Sequence, residues 1–153
     1  MITLATWPDI ERVARNMCAR HRQNACCLSF SDDPVLAISH LAAQNYIAAT
    51  FWRDGEPVAV GGAVITHPGA ASSFLYGTDH WQKNILEITR FFTQNIVSSL
   101  RAAGVRRLSV FAPAADPEGE RWKRLMGCDL EATLKGYGKG GQDFSLFTRF
   151  LSP

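Results

Sequence analysis

One stretch constrains this chain more than any other. Ile85, Ile88, Phe92, Ile96 and Leu100 recur at helical spacing, and Leu86, Thr89, Phe91 and Val97 widen the stripe. The pattern predicts a long amphipathic helix from Trp81 to Ala103, ended by Gly104 as a left-handed cap. Short β-forming runs flank it, Ser72 to Tyr76 before and Arg107 to Ala112 after, the second centred on Leu108, Val110 and Phe111. A strand, a long helix and a strand in that order bring the chain back to its sheet as a parallel neighbour. The core is therefore expected to be a sheet with helices packed on it.

The rest of the chain fits that frame. Thr6 suits a helix N-cap, with Pro8 early in the first turn. Ile10, Val13, Ala14, Met17 and Cys18 then mark an amphipathic helix of about four turns, ending near His21 to Asn24. Asp32 or Asp33 is expected to cap a second helix that starts at Pro34. Tyr46 to Arg53 and Glu56 to Thr66 read as a hairpin around Asp54-Gly55, a pair that accepts positive φ at both turn positions. Gly61-Gly62 inside the second strand signals a bulge or a close backbone approach. A short helix at Pro117 to Met126 ends at Gly127, and strands at Asp129 to Tyr137 and Phe144 to Leu151 close the chain around the turn Gly138 to Gly141. With a first strand at Ile2 to Ala5, the order predicts an α/β fold with a mixed sheet of about six to seven strands and about four helices. The 153 residues suit one domain with one core, spanning residues 1–153.

Composition excludes several classes. A net charge of +2 gives no nucleic-acid signal and no pull toward an anionic membrane. No run approaches the roughly 20 apolar residues of a membrane span, and Met1 to Asp9 lacks the pattern of a secretory leader. A cytoplasmic protein is the expectation. Cys18, Cys26, Cys27 and Cys128 form no C-x-x-C pair and read as reduced thiols. No metal is expected, because His21, His40, His67 and His80 lack ligand spacing with any Cys, Asp or Glu.

In its order of elements the chain resembles the GNAT superfamily of N-acetyltransferases. The resemblance is best from Tyr46 to Gly127: the hairpin at Asp54-Gly55, the strand ending at Tyr76-Gly77, the long helix, the strand Arg107 to Ala112, and the junction Gly127-Cys128, which in the family usually reads Gly-Phe. The stretch Gly55 to Gly62, the aromatic helix start at Trp81 and the phenylalanine-rich last strand are similar to a GNAT-like group of short-tailed phages and prophages, the internal virion protein A type.

The resemblance implies acetyl-CoA as cofactor, with its pyrophosphate at the start of the long helix, where backbone N–H groups and the helix dipole favour an anion. The family supplies a glycine-rich loop there. This chain has Gly77-Thr78-Asp79-His80-Trp81-Gln82-Lys83-Asn84, with no Gly-x-Gly, an acid at Asp79 and a bulky Trp81. If CoA binds, Thr78, Trp81, Lys83 and Asn84 are the expected contacts. Many members place a tyrosine acid four residues before the glycine of the junction, and here that position is Lys123. If the chain is an enzyme, Asp79 and His80 are the candidate catalytic pair, against the plainer reading that Asp79 caps the helix and His80 lies at the surface. Tyr137 sits on a later strand and would need a different geometry.

The preferred reading from sequence is a phage- or prophage-encoded GNAT-fold protein whose cofactor loop has degenerated. It would act as a structural or assembly protein of a virion, with protein partners in a particle or a homo-oligomer, and no cofactor is firmly implied. The alternative is an active acetyl-CoA-dependent N-acyltransferase acting on an amine. Exposed tryptophans among Trp7, Trp52, Trp81 and Trp122 would favour an interface. So would a gathered basic face of Arg101, Arg106, Arg107, Arg121, Lys123 and Arg124.

Overall fold

A computed structural model describes residues 1–44 and 46–152. Its centre is one mixed sheet in the order β1-β2-β3-β4-β5-β7-β6. The strands are β1 (Ile2–Leu4), β2 (Tyr46–Arg53), β3 (Glu56–His67), β4 (Ala70–Gly77), β5 (Arg107–Pro113), β6 (Asp129–Leu134) and β7 (Phe144–Phe150). All neighbours are antiparallel except β4 and β5, which run parallel. The long helix lies between those two strands in sequence, as its flanks require.

Among the described residues, five helices pack on this sheet. The first is α1 (Trp7–Arg15), opened by Thr6, whose hydroxyl accepts from the Asp9 N–H while the Asp9 carboxylate accepts from the Thr6 N–H. Such a reciprocal cap contributes about 1 kcal/mol. The helix then stops, where the spacing predicts about four turns through to His21. Asn16 ends it, and Cys18 adopts an extended conformation that sends its N–H to the Gly77 carbonyl, 2.8 Å away. A new helix, α2 (Ala19–Cys27), starts there. Next comes α3 (Pro34–Ile38), capped by Asp33, whose carboxylate accepts from Val35 and Leu36.

The long helix is a composite: a 3-10 turn (Trp81–Asn84), α4 (Ile85–Arg90), a π segment (Phe91–Ile96) and α5 (Val97–Ala102). Its N-cap is His80, without a side-chain bond, so Asp79 does not cap it. The last helix is α6 (Pro117–Leu125), capped by Asp116.

Each sheet face carries its own core. Ile88, Phe92, Ile96 and Leu100 of the long helix bury Phe51, Ala59 and Ala71 on one side. Ile10, Val13, Ile38 and Leu41 cover Val60 and Val64 on the other. Gly62 marks a close approach, since a Cβ there would sit 1.9 Å from the Ile47 carbonyl oxygen. The register shifts fall elsewhere, at Phe51/Trp52, Ile65/His67 and Leu130/Ala132. The tryptophans are not surface anchors: Trp81 is buried and Trp7, Trp52 and Trp122 are half-buried. The basic residues do not act as one face either. Lys123 points inward, Arg107 pairs with Glu131, and Arg124 pairs with Glu120. No described helix is long and apolar enough to cross a membrane.

Candidate active site

The parallel pair of strands does not stay paired. β4 and β5 are joined only at Ala70↔Arg107, Ala71↔Leu108 and Ser72↔Ser109. Beyond Ser72 they separate, and a cavity of about 650 Å³ opens between Ser73–Tyr76 of β4 and Val110–Ala112 of β5. Its lining draws on both sheet-face cores: Trp81, Ile85, Phe92 and Trp122 contribute, and so do His21, Asn24, Leu28 and Leu41. A mostly apolar recess with a few polar groups is the form small-molecule sites take.

Three ionisable groups distinguish it. Lys123 is 6% exposed, and its Nζ lies 5.5 Å from the centre of the Phe147 ring. No described residue accepts a hydrogen bond from that Nζ. Burial pulls its pKa below the ordinary 10.5, opposed by Asp116 and reinforced by Arg20. His21 is buried, and its Nδ1 accepts from the Gly77 N–H at 2.8 Å. That bond fixes the neutral tautomer with the proton on Nε2. Burial, then Arg20, lowers its pKa to about 4. The Tyr76 phenol is pushed up to about 12 by burial, so it keeps its proton. Across the cavity, Arg20 of α2 bonds the Asp116 carboxylate that caps α6.

The residues singled out from sequence scatter. Asp79 and His80 are both exposed, join in no hydrogen bond with each other, and do not line the cavity. Thr78 holds the turn, accepting from the His80 N–H and donating to Val58. Trp81 lines the cavity and stacks obliquely on His21, with ring centres 5.0 Å apart. It also packs against the end of β4, where a Cβ on Gly77 would meet its Cβ at 2.4 Å. Lys83 is exposed. Asn84 is buried and gives its amide to Glu87 and to the Trp52 carbonyl, with its own Oδ1 left unpartnered. Tyr137 does not line the cavity but stacks on Phe111, which does. His21 and Tyr76 were not legible as site residues. His21 follows a helix break that leaves no periodic trace, and Tyr76 reads as one more apolar strand residue. No described set of His, Cys, Asp or Glu is grouped to hold a metal ion.

The cavity fits an acyl thioester on an extended arm, being roomy and largely apolar. The helix start does not fit a pyrophosphate in the manner of a glycine loop, because Trp81 fills the ground between strand end and helix.

No family model matches the chain. It is 38% identical over 85 residues to the AdoMet-dependent heme synthase of Methanosarcina barkeri, a match covering 54% of this chain and 24% of that protein. Among solved structures it is similar over its whole length to the ribosomal-protein-S18-alanine N-acetyltransferase of Escherichia coli, covering 96% of that chain with a TM-score of 0.70 at 15% identity. A GNAT phosphinothricin acetyltransferase of Sinorhizobium meliloti, solved with acetyl-CoA, matches 99% of this chain and 88% of its own, with a TM-score of 0.74 at 16% identity. A ribosomal-protein-alanine N-acetyltransferase of Brucella melitensis matches 99% of both chains, with a TM-score of 0.75 at 18% identity. Nothing in these likenesses supports the phage internal virion protein group or a place in a virion. By its likeness to these structures over its whole length, the chain has the fold of the GNAT-superfamily N-acetyltransferases.

Proposed function

We propose that this protein is an N-acyltransferase that uses an acyl thioester, with acetyl-CoA as the first candidate, and delivers the acyl group to a small amine. The observation that carries the reading is the cavity between the parted strands β4 and β5. A scaffold kept only for assembly has no need of a cavity opened between its strands. The thioester supplies an activated carbonyl and a sulfur leaving group. Lys123 holds a proton at Nζ and can give it to the departing sulfur, in the place where many relatives of this fold have a tyrosine. His21, fixed as a neutral imidazole, can offer its Nε2–H to developing negative charge. The amine is expected to enter from the side lined by Asn24, His40 and Gln44. This reading departs from the sequence-based preference because Lys123, read there as a lost acid, is a buried cation in the cavity wall.

Trp81, packed on Gly77, favours a second reading: a binding or assembly role without chemistry. Calorimetric titration with acetyl-CoA separates them. Micromolar binding is expected, with Lys123→Ala lowering kcat by about 10²-fold or more while binding changes little. No binding at millimolar acetyl-CoA would leave the second reading standing alone.

A further inference from the structure

We propose that Lys123 is itself an acyl acceptor: held with a thioester and no amine, the protein acylates the Lys123 Nζ. The inference rests on the function proposed above and adds an activity to the same cavity.

The chain has four lysines. Three lie at the surface: Lys83 is exposed, Lys135 pairs with Asp143 and Lys139 with Asp32. Each is solvated or neutralised as an ammonium. Lys123 alone is enclosed, with an aromatic face as its contact and no described acceptor for its protons. An amine in such surroundings spends more of its time uncharged, and an uncharged desolvated amine is the nucleophilic form. The groups facing it are Arg20 and His21 of α2, Asp116 and Glu120 of α6, and Cys128 beyond the helix end. Asp116, the carboxylate that most favours the ammonium, forms no ion pair with it and is engaged by Arg20 and by the Gly119 N–H.

The step balances without a further reactant. The Nζ–C amide bond forms, the C–S bond breaks, and the sulfur leaves with the electron pair. The proton lost from the nitrogen goes to the departing thiolate. The product is an amide, which returns neither acyl group nor proton, so the modification removes the proton donor of the transfer reaction. Self-acylation is thus a brake that operates when amine is scarce.

The same titration gives the two reactions opposite pH dependence. Transfer to an external amine needs Lys123 protonated and falls as pH rises through its pKa, whereas self-acylation rises there. The test incubates the intact chain with acetyl-CoA and no amine, follows intact mass, and maps the modified peptide. The expected result is a gain of one acetyl group at Lys123, at least about tenfold faster than at Lys83, Lys135 or Lys139, with the rate increasing with pH. Lys123→Arg should gain none, and the modified wild-type protein should lose about tenfold or more of its amine-transfer activity. Calorimetric binding of acetyl-CoA with Lys123 unmodified, or with label spread evenly over the lysines, would overturn this inference and leave the proposed function intact. Absence of binding would remove both.

Discussion

His21 shows how one side chain can be committed by a backbone group. Its Nδ1 is taken by the Gly77 N–H, and its ring is sealed against Trp81. Protonation would put a second donor against a donor in a place water does not reach. The folded-state pKa of about 4 lies below the ordinary 6.5, so between these values the unfolded chain binds more protons than the folded one. Stability from this residue is therefore full above pH 6.5 and is lost as pH falls toward 4, by about 3 kcal/mol. Urea midpoints at pH 7 and pH 4.5 should differ accordingly. In His21→Asn, whose side-chain oxygen can still accept from Gly77 but does not titrate, the difference should shrink; equal pH slopes in the two proteins would refute the assignment. Gly62 makes a harsher case. A methyl group there meets backbone rather than a movable side chain, and Gly62→Ala should cost about 3 kcal/mol in urea unfolding.

Elements were legible where their own residues determine them. The hairpin turn follows from Asp54-Gly55, which takes φ of 51° and 77°. The parallel pair follows from a strand, a helix and a strand in succession. What escaped was set by partners distant in sequence. The break between α1 and α2 exists because Cys18 bonds the end of β4, and α2 carries too little amphipathic pattern to announce itself. The cavity escaped for the same reason: no local pattern says that two strands part after three paired residues. Lys123 was located by its spacing from Gly127 but judged by its residue type, whereas burial decides what a lysine can do. On the long helix, Thr89 accepts from Trp122 Nε1 at 2.8 Å while donating to the Ile85 carbonyl. Thr89→Val keeps the shape and removes the acceptor, so a half-buried indole N–H goes unmet. Unfolding free energy should drop by about 1–2 kcal/mol. A loss no larger than that of Thr93→Val, whose hydroxyl bonds only its own helix, would show that the indole bond contributes nothing.

At the scale of the molecule, α2 spans the cavity like a bar fixed at two ends. One end is tied to β4 by the two bonds that Cys18 and His21 make with Gly77. The other is held at Cys27, whose carbonyl accepts from the Lys139 N–H at 3.0 Å and whose Sγ donates to Gln142 Oε1; beside the first end, Arg20 also pairs with Asp116, the cap of α6. The β4 tie is buried and short. The Arg20 tie is partly exposed, with Arg20 38% and Asp116 17% accessible at the side chain, so it is the weaker and the more easily opened. Opening of the first turn of α2 should therefore begin at Arg20, with the Gly77 bonds still made. Arg20→Ala should speed hydrogen exchange of the α2 amides by about five- to tenfold, corresponding to about 1 kcal/mol of local opening, and leave α1 unchanged under its own cap. If the amine enters beneath α2, its association rate should rise by a similar factor in the same variant. Faster exchange without faster entry would move the entrance to a part of the cavity wall away from α2. No change in exchange would mean that the packing of Cys26 and Cys27, rather than the ion pair, holds the bar shut.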